Sequence, residues 1–219
     1  MRRLLLPVAG ILALAVPEPA FSSGSYDLAD VIPITPRESP VHAGMRMGLD
    51  WATWLGDDPD PGGYDGTDYR LGMNVGGYLN IKAGGMFSVE PEVLYIQKGI
   101  KYYPLNLIRI YKLDYADISI LVRFSPGWFS VFAGPSFGVL LRAKSLERSA
   151  STATTTNIGN RVDGTDFGLA VGLGFWIPDK VNRTSIDLRA TFGVLPVFDA
   201  AGEKSFRNAT LSTQVGFVF

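Results

Sequence analysis

Eight stretches of this chain alternate apolar and polar residues with a period of two, and the connections between them alternate between long and short. Successive side chains of a strand point to opposite faces, so each stretch reads as a strand with one apolar and one polar face. The runs are Val41–Trp54, Asp68–Lys82, Met86–Lys98, Leu107–Phe124, Trp128–Arg142, Thr165–Ile177, Asn182–Leu195 and Arg207–Phe219. In the last, Ala209, Leu211, Val215, Phe217 and Phe219 fall on one side, with Asn208, Thr210, Ser212, Gln214 and Gly216 on the other. The fifth run separates its faces less cleanly. Pro91, inside the third, implies a bulge, because proline cannot donate to the ladder.

Leu55–Thr67, Gly99–Asn106, Ala143–Gly164 and Pro196–Phe206 read as long, polar or turn-rich connections; Ala83–Gly85, Ser125–Gly127 and Pro178–Val181 read as tight ones. Tight turns join antiparallel neighbours into hairpins. Strict alternation therefore gathers the tight turns at one end of the sheet and the long loops at the other. Outer-membrane barrels have this asymmetry, with an even strand number, periplasmic termini and extracellular long loops. A soluble up-and-down barrel has no physical reason to keep it. The expected fold is all-β, an eight-stranded antiparallel up-and-down transmembrane β-barrel over residues 41–219. Its final strand closes against Val41–Trp54, since in lipid every backbone group must be paired and sheet edges removed.

Alternation alone does not say which face is outside; a soluble ligand-binding barrel would turn the apolar face inward. Three features favour lipid outside. The polar face is rich in Gly and small residues, as a crowded interior requires. It also carries charges of both signs, Arg46, Asp50, Lys82, Glu90, Glu92, Asp117, Arg123, Asp187 and Arg189. These are expected as a lumen network, because buried charges persist only when paired and hydrogen-bonded. Finally, aromatic residues gather near strand ends: Trp51, Trp54, Tyr69 and Phe192 towards the long loops, and Phe124, Trp128, Phe129 and Trp176 towards the tight turns. Two such girdles suit the two bilayer interfaces.

Ahead of the barrel, Arg2 and Arg3 precede the apolar run Leu4–Val16. That is a basic segment before a core of signal-peptide length, too short for a spanning helix. Residues 1–24 are expected to be a signal peptide, and residues 25–40, with Pro33, Pro36 and Pro40, a Pro-rich periplasmic linker. The net charge of −1 gives no reason to expect nucleic acid as a partner. There is no cysteine and one histidine, His42, so neither a thiol site nor a histidine-cluster metal site can be built. Catalytic, cofactor-binding and metal residues are all expected to be absent. His42 is the sole imidazole base, sits at the tight-turn end, and reads as a structural residue.

The run Glu90-Pro91-Glu92-Val93-Leu94-Tyr95-Ile96-Gln97-Lys98-Gly99, then Leu113-Asp114-Tyr115-Ala116-Asp117-Ile118, then Phe132-Ala133-Gly134-Pro135 resembles the PorT-like outer-membrane β-barrel family of Bacteroidota and related phyla. Ser119 stands where that family usually has proline, which implies a differently shaped hairpin. The resemblance implies an eight-stranded outer-membrane barrel over about Val41–Phe219, in a family most of whose members have no assigned activity. The terminal aromatic strand, with Val215, Phe217 and Phe219, looks like the signal read by the barrel assembly machinery. Together these readings point to a monomeric, non-enzymatic barrel in outer-membrane lipid. Its polar lumen is plugged, and it acts through extracellular loops in interaction, adhesion or envelope roles. The small, polar run Ser149–Thr156 is the candidate exposed loop. The alternatives are a small-solute pore, a transport or secretion accessory barrel, a soluble ligand-binding barrel and a lipid-modifying enzyme.

Overall fold

The computed structural model describes residues 40–56, 64–104, 107–149, 152–177, 183–198 and 206–219, with 64–67, 104 and 183 described by backbone alone. The expected signal peptide at 1–24, all of the 25–40 linker except Pro40, and the tight connection at 178–181 lie outside the described residues.

Nine strands form: β1 (Val41–Gly56), β2 (Tyr64–Gly84), β3 (Phe87–Pro104), β4 (Ile108–Phe124), β5 (Phe129–Arg148), β6 (Ala153–Asn157), β7 (Thr165–Ile177), β8 (Arg183–Gly193) and β9 (Phe206–Val218). Their order is β4-β3-β2-β1-β9-β8-β7-β5-β6, and β4 also pairs with β5. Setting β6 aside, the remaining eight strands form a closed antiparallel ring. The closing seam runs unbroken from Gly44↔Val218 to Gly56↔Phe206, so β9 meets β1 as the sequence implied.

The ring is inverted relative to a water-soluble protein. Outward positions are apolar and open: Met47 is 47% exposed, Leu71 61%, Ile120 52%, Leu188 44% and Leu211 54%. Inward positions are polar and closed, with Arg46 at 1% and Glu90 at 0% exposed. A contiguous apolar belt on this scale is a membrane-facing surface. No described helix is long and apolar enough to cross a membrane, so the crossing is made by strands.

Three expectations about connections and register are corrected. Gly99–Asn106 is not a loop for most of its length: β3 runs on to Pro104 and β4 begins at Ile108. The alternation of long and short connections therefore fails at this hairpin. Gly99, at φ +131°, looks like a turn residue in sequence, yet it sits within the ladder where a Cβ would meet the Tyr111 carbonyl oxygen at 2.1 Å. Beyond it the inward pattern resumes through Ile100 and Tyr102, and Tyr102 stacks on Tyr111 with ring centroids 5.8 Å apart.

Ala143–Gly164, with the candidate exposed loop Ser149–Thr156, is likewise not a loop for most of its length. β5 continues to Arg148 and hairpins into β6, where Ala153–Asn157 pairs with Lys144–Arg148. The Thr-rich run has high strand propensity, and β6 takes over the edge of β5 that β7 leaves at Val139↔Thr165. Finally, the bulge expected at Pro91 does not form. The β2–β3 pairs Tyr78↔Glu92 and Ile81↔Val89 keep one register across it, and Pro91↔Ile120 is in register with β4. A bulge lies instead in β5, where Asp114↔Arg142 is followed by Tyr115↔Leu140.

Candidate functional site

Among the described residues the lumen gathers buried charges of both signs. Arg46, Lys98, Arg123 and Arg189 meet Glu90, Glu92, Asp117, Asp166 and Asp187 there, and none is more than 4% exposed. Period-two alternation puts these residues inside; the strand order then brings β1, β3, β4 and β8 together across the barrel. Arg46 reaches Glu92 at 2.5 Å, Glu90 at 3.1 Å and Asp187 at 3.2 Å. Arg123 reaches Glu90 at 3.0 Å and Asp187 at 2.8 Å. Arg189 pairs with Glu92 and donates to Ser119 Oγ at 2.9 Å. Ser119 donates in turn to Asp117 at 2.9 Å, mid-strand, with one register kept on either side of it against both β3 and β5, so no altered hairpin follows from the missing proline.

Aromatic faces complete the packing. The Arg46 guanidinium lies 4.4 Å from the Tyr78 ring centroid and that of Arg123 lies 4.4 Å from Phe132, both in cation–π range. Phe132 points inward and Pro135 outward, which explains why the faces of β5 read as mixed. Glycine supplies the room: a Cβ on Gly172 would meet the Phe132 ring at 2.3 Å, and one on Gly174 would meet Arg123 and Asp187 at 2.4 Å each.

Towards the long-connection end, the Lys98 ammonium bridges Asp166 at 2.9 Å and Asp117 at 3.2 Å. Asp50 is held differently. It accepts from Asn74 and Ser212, each at 2.6 Å, and Gln214 donates to Asn74 at 3.0 Å. No described ion pair includes it. Above these charges an apolar cap closes the mouth: Leu113, Tyr115, Ala143, Ile158, Val162 and Val197 are buried together, with Trp54, Tyr111 and Phe198 packed against them. A 3-10 turn, Gly159–Arg161, and the bridge Val162↔Phe198 bring the cap over the lumen. At its outer edge, burial and then the Tyr111 hydroxyl push the Tyr102 phenol well above its ordinary pKa, so it stays protonated.

Eight of the nine charges expected in the lumen are buried there; Lys82 is not. It stands exposed on β2 at the tight-turn rim, where it lines a cavity of about 390 Å³ with His42, Asn80, Ser88 and Trp176. Two girdle assignments also fail. Trp54 points into the cap, 5.0 Å from Tyr111 and 5.3 Å from Phe198 by ring centroid. Trp176 points inward at the tight-turn cavity, with Arg123 5.9 Å from its ring. Both have the parity of the polar face, and that parity, not their aromatic character, sets their direction. The other girdle members lie outward, and Trp128 stacks on Phe175 at 5.8 Å. Lys98, Asp166 and Asn74 were missed as network members, although their parity places each on an inward face. Val215, Phe217 and Phe219 line the outer side of the closing strand. Among the described residues no cluster suited to a metal ion exists.

A closed antiparallel ring with lipid-compatible residues outside and ion pairs inside defines a membrane-spanning β-barrel. The chain belongs to the family of the outer membrane protein beta-barrel domain, which it matches over residues 36–199. Its place is accordingly the lipid of the bacterial outer membrane. Among solved structures it is similar to Ail, the attachment invasion locus protein of Yersinia pestis, at 13% identity, covering 81% of this chain and 98% of that one, with a TM-score of 0.45. It is also similar to Neisserial surface protein A, at 12% identity, 81% and 97% coverage and a TM-score of 0.48. The outer membrane protein OprG from Pseudomonas aeruginosa follows at 10% identity, 82% and 94% coverage and a TM-score of 0.36. No curated protein matches the chain.

Proposed function

We propose that this chain is a monomeric, non-conducting and non-enzymatic outer-membrane barrel of the PorT-like kind. It acts through its long-connection end, held outside the cell, with both barrel termini in the periplasm. Residues 1–24 direct export, residues 25–40 link to the barrel, and the strand ending Val215, Phe217 and Phe219 engages the barrel assembly machinery. The observation that carries this reading is the doubly closed lumen. Eight strands enclose only enough space for their own side chains, and here that space holds interlocked arginines and carboxylates beneath an apolar cap. The outer surface and the ends remain available for function. At the long-connection end the wall extends past the belt through β3, β4, β5 and β6, which gives a partner a firm sheet surface rather than a coil. The PorT-like segments supply Glu90, Glu92 and Asp117, which hold the lumen arginines, a structural role.

The test is conductance in planar bilayers. No stable unitary current is expected from the purified protein. Large, stable openings would overturn the closed-lumen reading and favour the pore.

A further inference from the structure

A second cavity, about 760 Å³, lies at the long-connection end and is lined by residues of β2, β3, β4, β5 and β6. Arg70, Lys101, Lys112, Arg142 and Lys144 line it against one lining carboxylate, Asp114. The bulge in β5 helps build it. Because Leu141 has no partner in register, Leu141 and Arg142 are both exposed in succession. The outward set of β5 thereby switches from Val139 and Leu141 below to Arg142 and Lys144 above.

Within the cavity, Lys112 and Lys144 are direct partners in the β4–β5 ladder. Like charges in that position repel and cost stability. Neither forms an ion pair with a described residue. Arg70 and Arg142 share Asp114, each at 3.9 Å, and Lys101 reaches the exposed Asp68 at 3.7 Å and lies 5.0 Å from the Tyr103 ring centroid. The cluster therefore carries five cations against Asp114 and Asp68, with Lys112 and Lys144 at paired positions of the ladder.

Its height is informative. On β4 the positions of outward parity run from Phe124 through Val122, Ile120, Ile118 and Ala116 to Asp114, which is itself buried. At a rise of about 3.4 Å per residue and a tilt of about 40°, that span covers about 26 Å, the height of an outer-membrane hydrocarbon band. Lys112 and Lys144 stand one outward step beyond it, at headgroup level. Tyr69 and Leu71, 60% and 61% exposed, flank the cavity on β2.

We propose that this cluster binds the phosphate of an outer-leaflet phosphoglycolipid whose acyl chains lie along the apolar belt beneath it. A phosphate between Lys112 and Lys144 turns their repulsion into two charge-assisted contacts, and Arg142 adds a planar fork suited to the same group. A lipid satisfies both halves of the surface, the cations above and the exposed aliphatic wall below; a free phosphate would use only the first. The inference rests on the outward orientation of this end proposed above.

Native mass spectrometry of the purified barrel in detergent, with diphosphoryl lipid A as the probe, tests it. The barrel is expected to retain the lipid, and K112Q/K144Q to weaken retention by about tenfold or more, the scale of a lost charge-assisted contact. K82Q, at the opposite rim, is expected to leave retention unchanged. Dephosphorylated lipid A is expected to behave like the double variant, and excess inorganic phosphate not to displace the lipid. Retention indifferent to the lipid phosphates or to K112Q/K144Q, or full displacement by inorganic phosphate, would overturn the proposal. Removing a like-charge pair should leave the variant at least as heat-resistant as the parent without lipid, so misfolding is read separately. Orientation is also read separately. The chain has no cysteine, so Ser149→Cys should react with an impermeant maleimide on intact cells and Met86→Cys only after lysis. The reverse labelling would overturn the orientation itself; correct labelling without lipid retention would overturn the lipid site alone.

Discussion

Arg123 and Asp187 face each other across the lumen with two parallel contacts, Nη2 to Oδ2 at 2.8 Å and Nη1 to Oδ1 at 3.3 Å. Asp187 also sits 3.2 Å from Arg46, so one carboxylate on β8 serves guanidinium groups from β1 and β4. Asp187→Asn would leave two buried arginines short of a counter-charge. Truncating one partner of a buried pair typically costs about 3–5 kcal/mol. The expected result is a matching loss of unfolding free energy in lipid vesicles, with the fold retained. An unchanged midpoint would mean that the pair holds nothing together.

The space for that pair is made by Gly174. A Cβ there would lie 2.4 Å from both Arg123 Nη1 and Asp187 Oδ1, and 2.6 Å from Ser130 Oγ. Gly174→Ala is therefore expected to destabilise by about 1–3 kcal/mol, the usual cost of overpacking a filled interior. Gly164→Ala, where nothing lies within 4 Å, is the matched control and should be silent. Equal effects of the two, measured by heat-modifiable gel mobility, would count against steric crowding as the cause.

How far the sequence could be read depends on what each signal measures. Parity was enough to place Arg46, Glu90, Arg123, Asp187 and their neighbours inside, because the side-chain direction of a strand leaves only two choices. It could not say which residues meet across the barrel. The Lys98 bridge to Asp117 and Asp166 depends on the strand order, which brings β3, β4 and β7 to one level of the lumen. Gly99 and the Thr-rich run after Ser149 suggested loops, since glycine and small polar residues are local punctuation. In the folded chain, Tyr102 stacking on Tyr111 and β6 pairing with β5 carry the ladder on. Trp54 and Trp176 went astray for a related reason: aromatic residues at strand ends suit either an interface girdle or a lumen end. The cationic cavity had no sequence signature at all, because Lys112 and Lys144 become neighbours only through the register of β4 with β5.

The belt gives a sharper test of which face meets lipid. Leu188 lies mid-strand on β8, outward and 44% exposed, and its ladder partners are Leu173 and Thr213. Arginine at the middle of a lipid-facing strand costs about 2–4 kcal/mol, falling to about 0–1 near the interfaces. Leu188→Arg should therefore destabilise the refolded barrel strongly. Leu55→Arg, at the long-connection end of β1, should be nearly neutral. If Leu188→Arg were neutral too, the apolar belt would not be in lipid.

The last strand separates stability from assembly. The backbone N–H of Phe219 donates to the Ala43 carbonyl at 2.8 Å, a bond that does not need its ring, and that ring is 71% exposed. Phe217 faces outward beside it, opposite Met45 and Thr184. Phe219→Ala therefore removes little packing from the folded barrel, and its unfolding midpoint after refolding in vesicles should move by less than about 1 kcal/mol, as for an exposed surface change. If Phe219 is read by the assembly machinery, the same substitution should sharply lower the amount of heat-modifiable protein in the outer membrane of a Gram-negative host, with the chain accumulating in the periplasm. A fall in refolded stability large enough to explain the loss in cells would make Phe219 a packing residue. Normal levels in the membrane would remove it as an assembly signal.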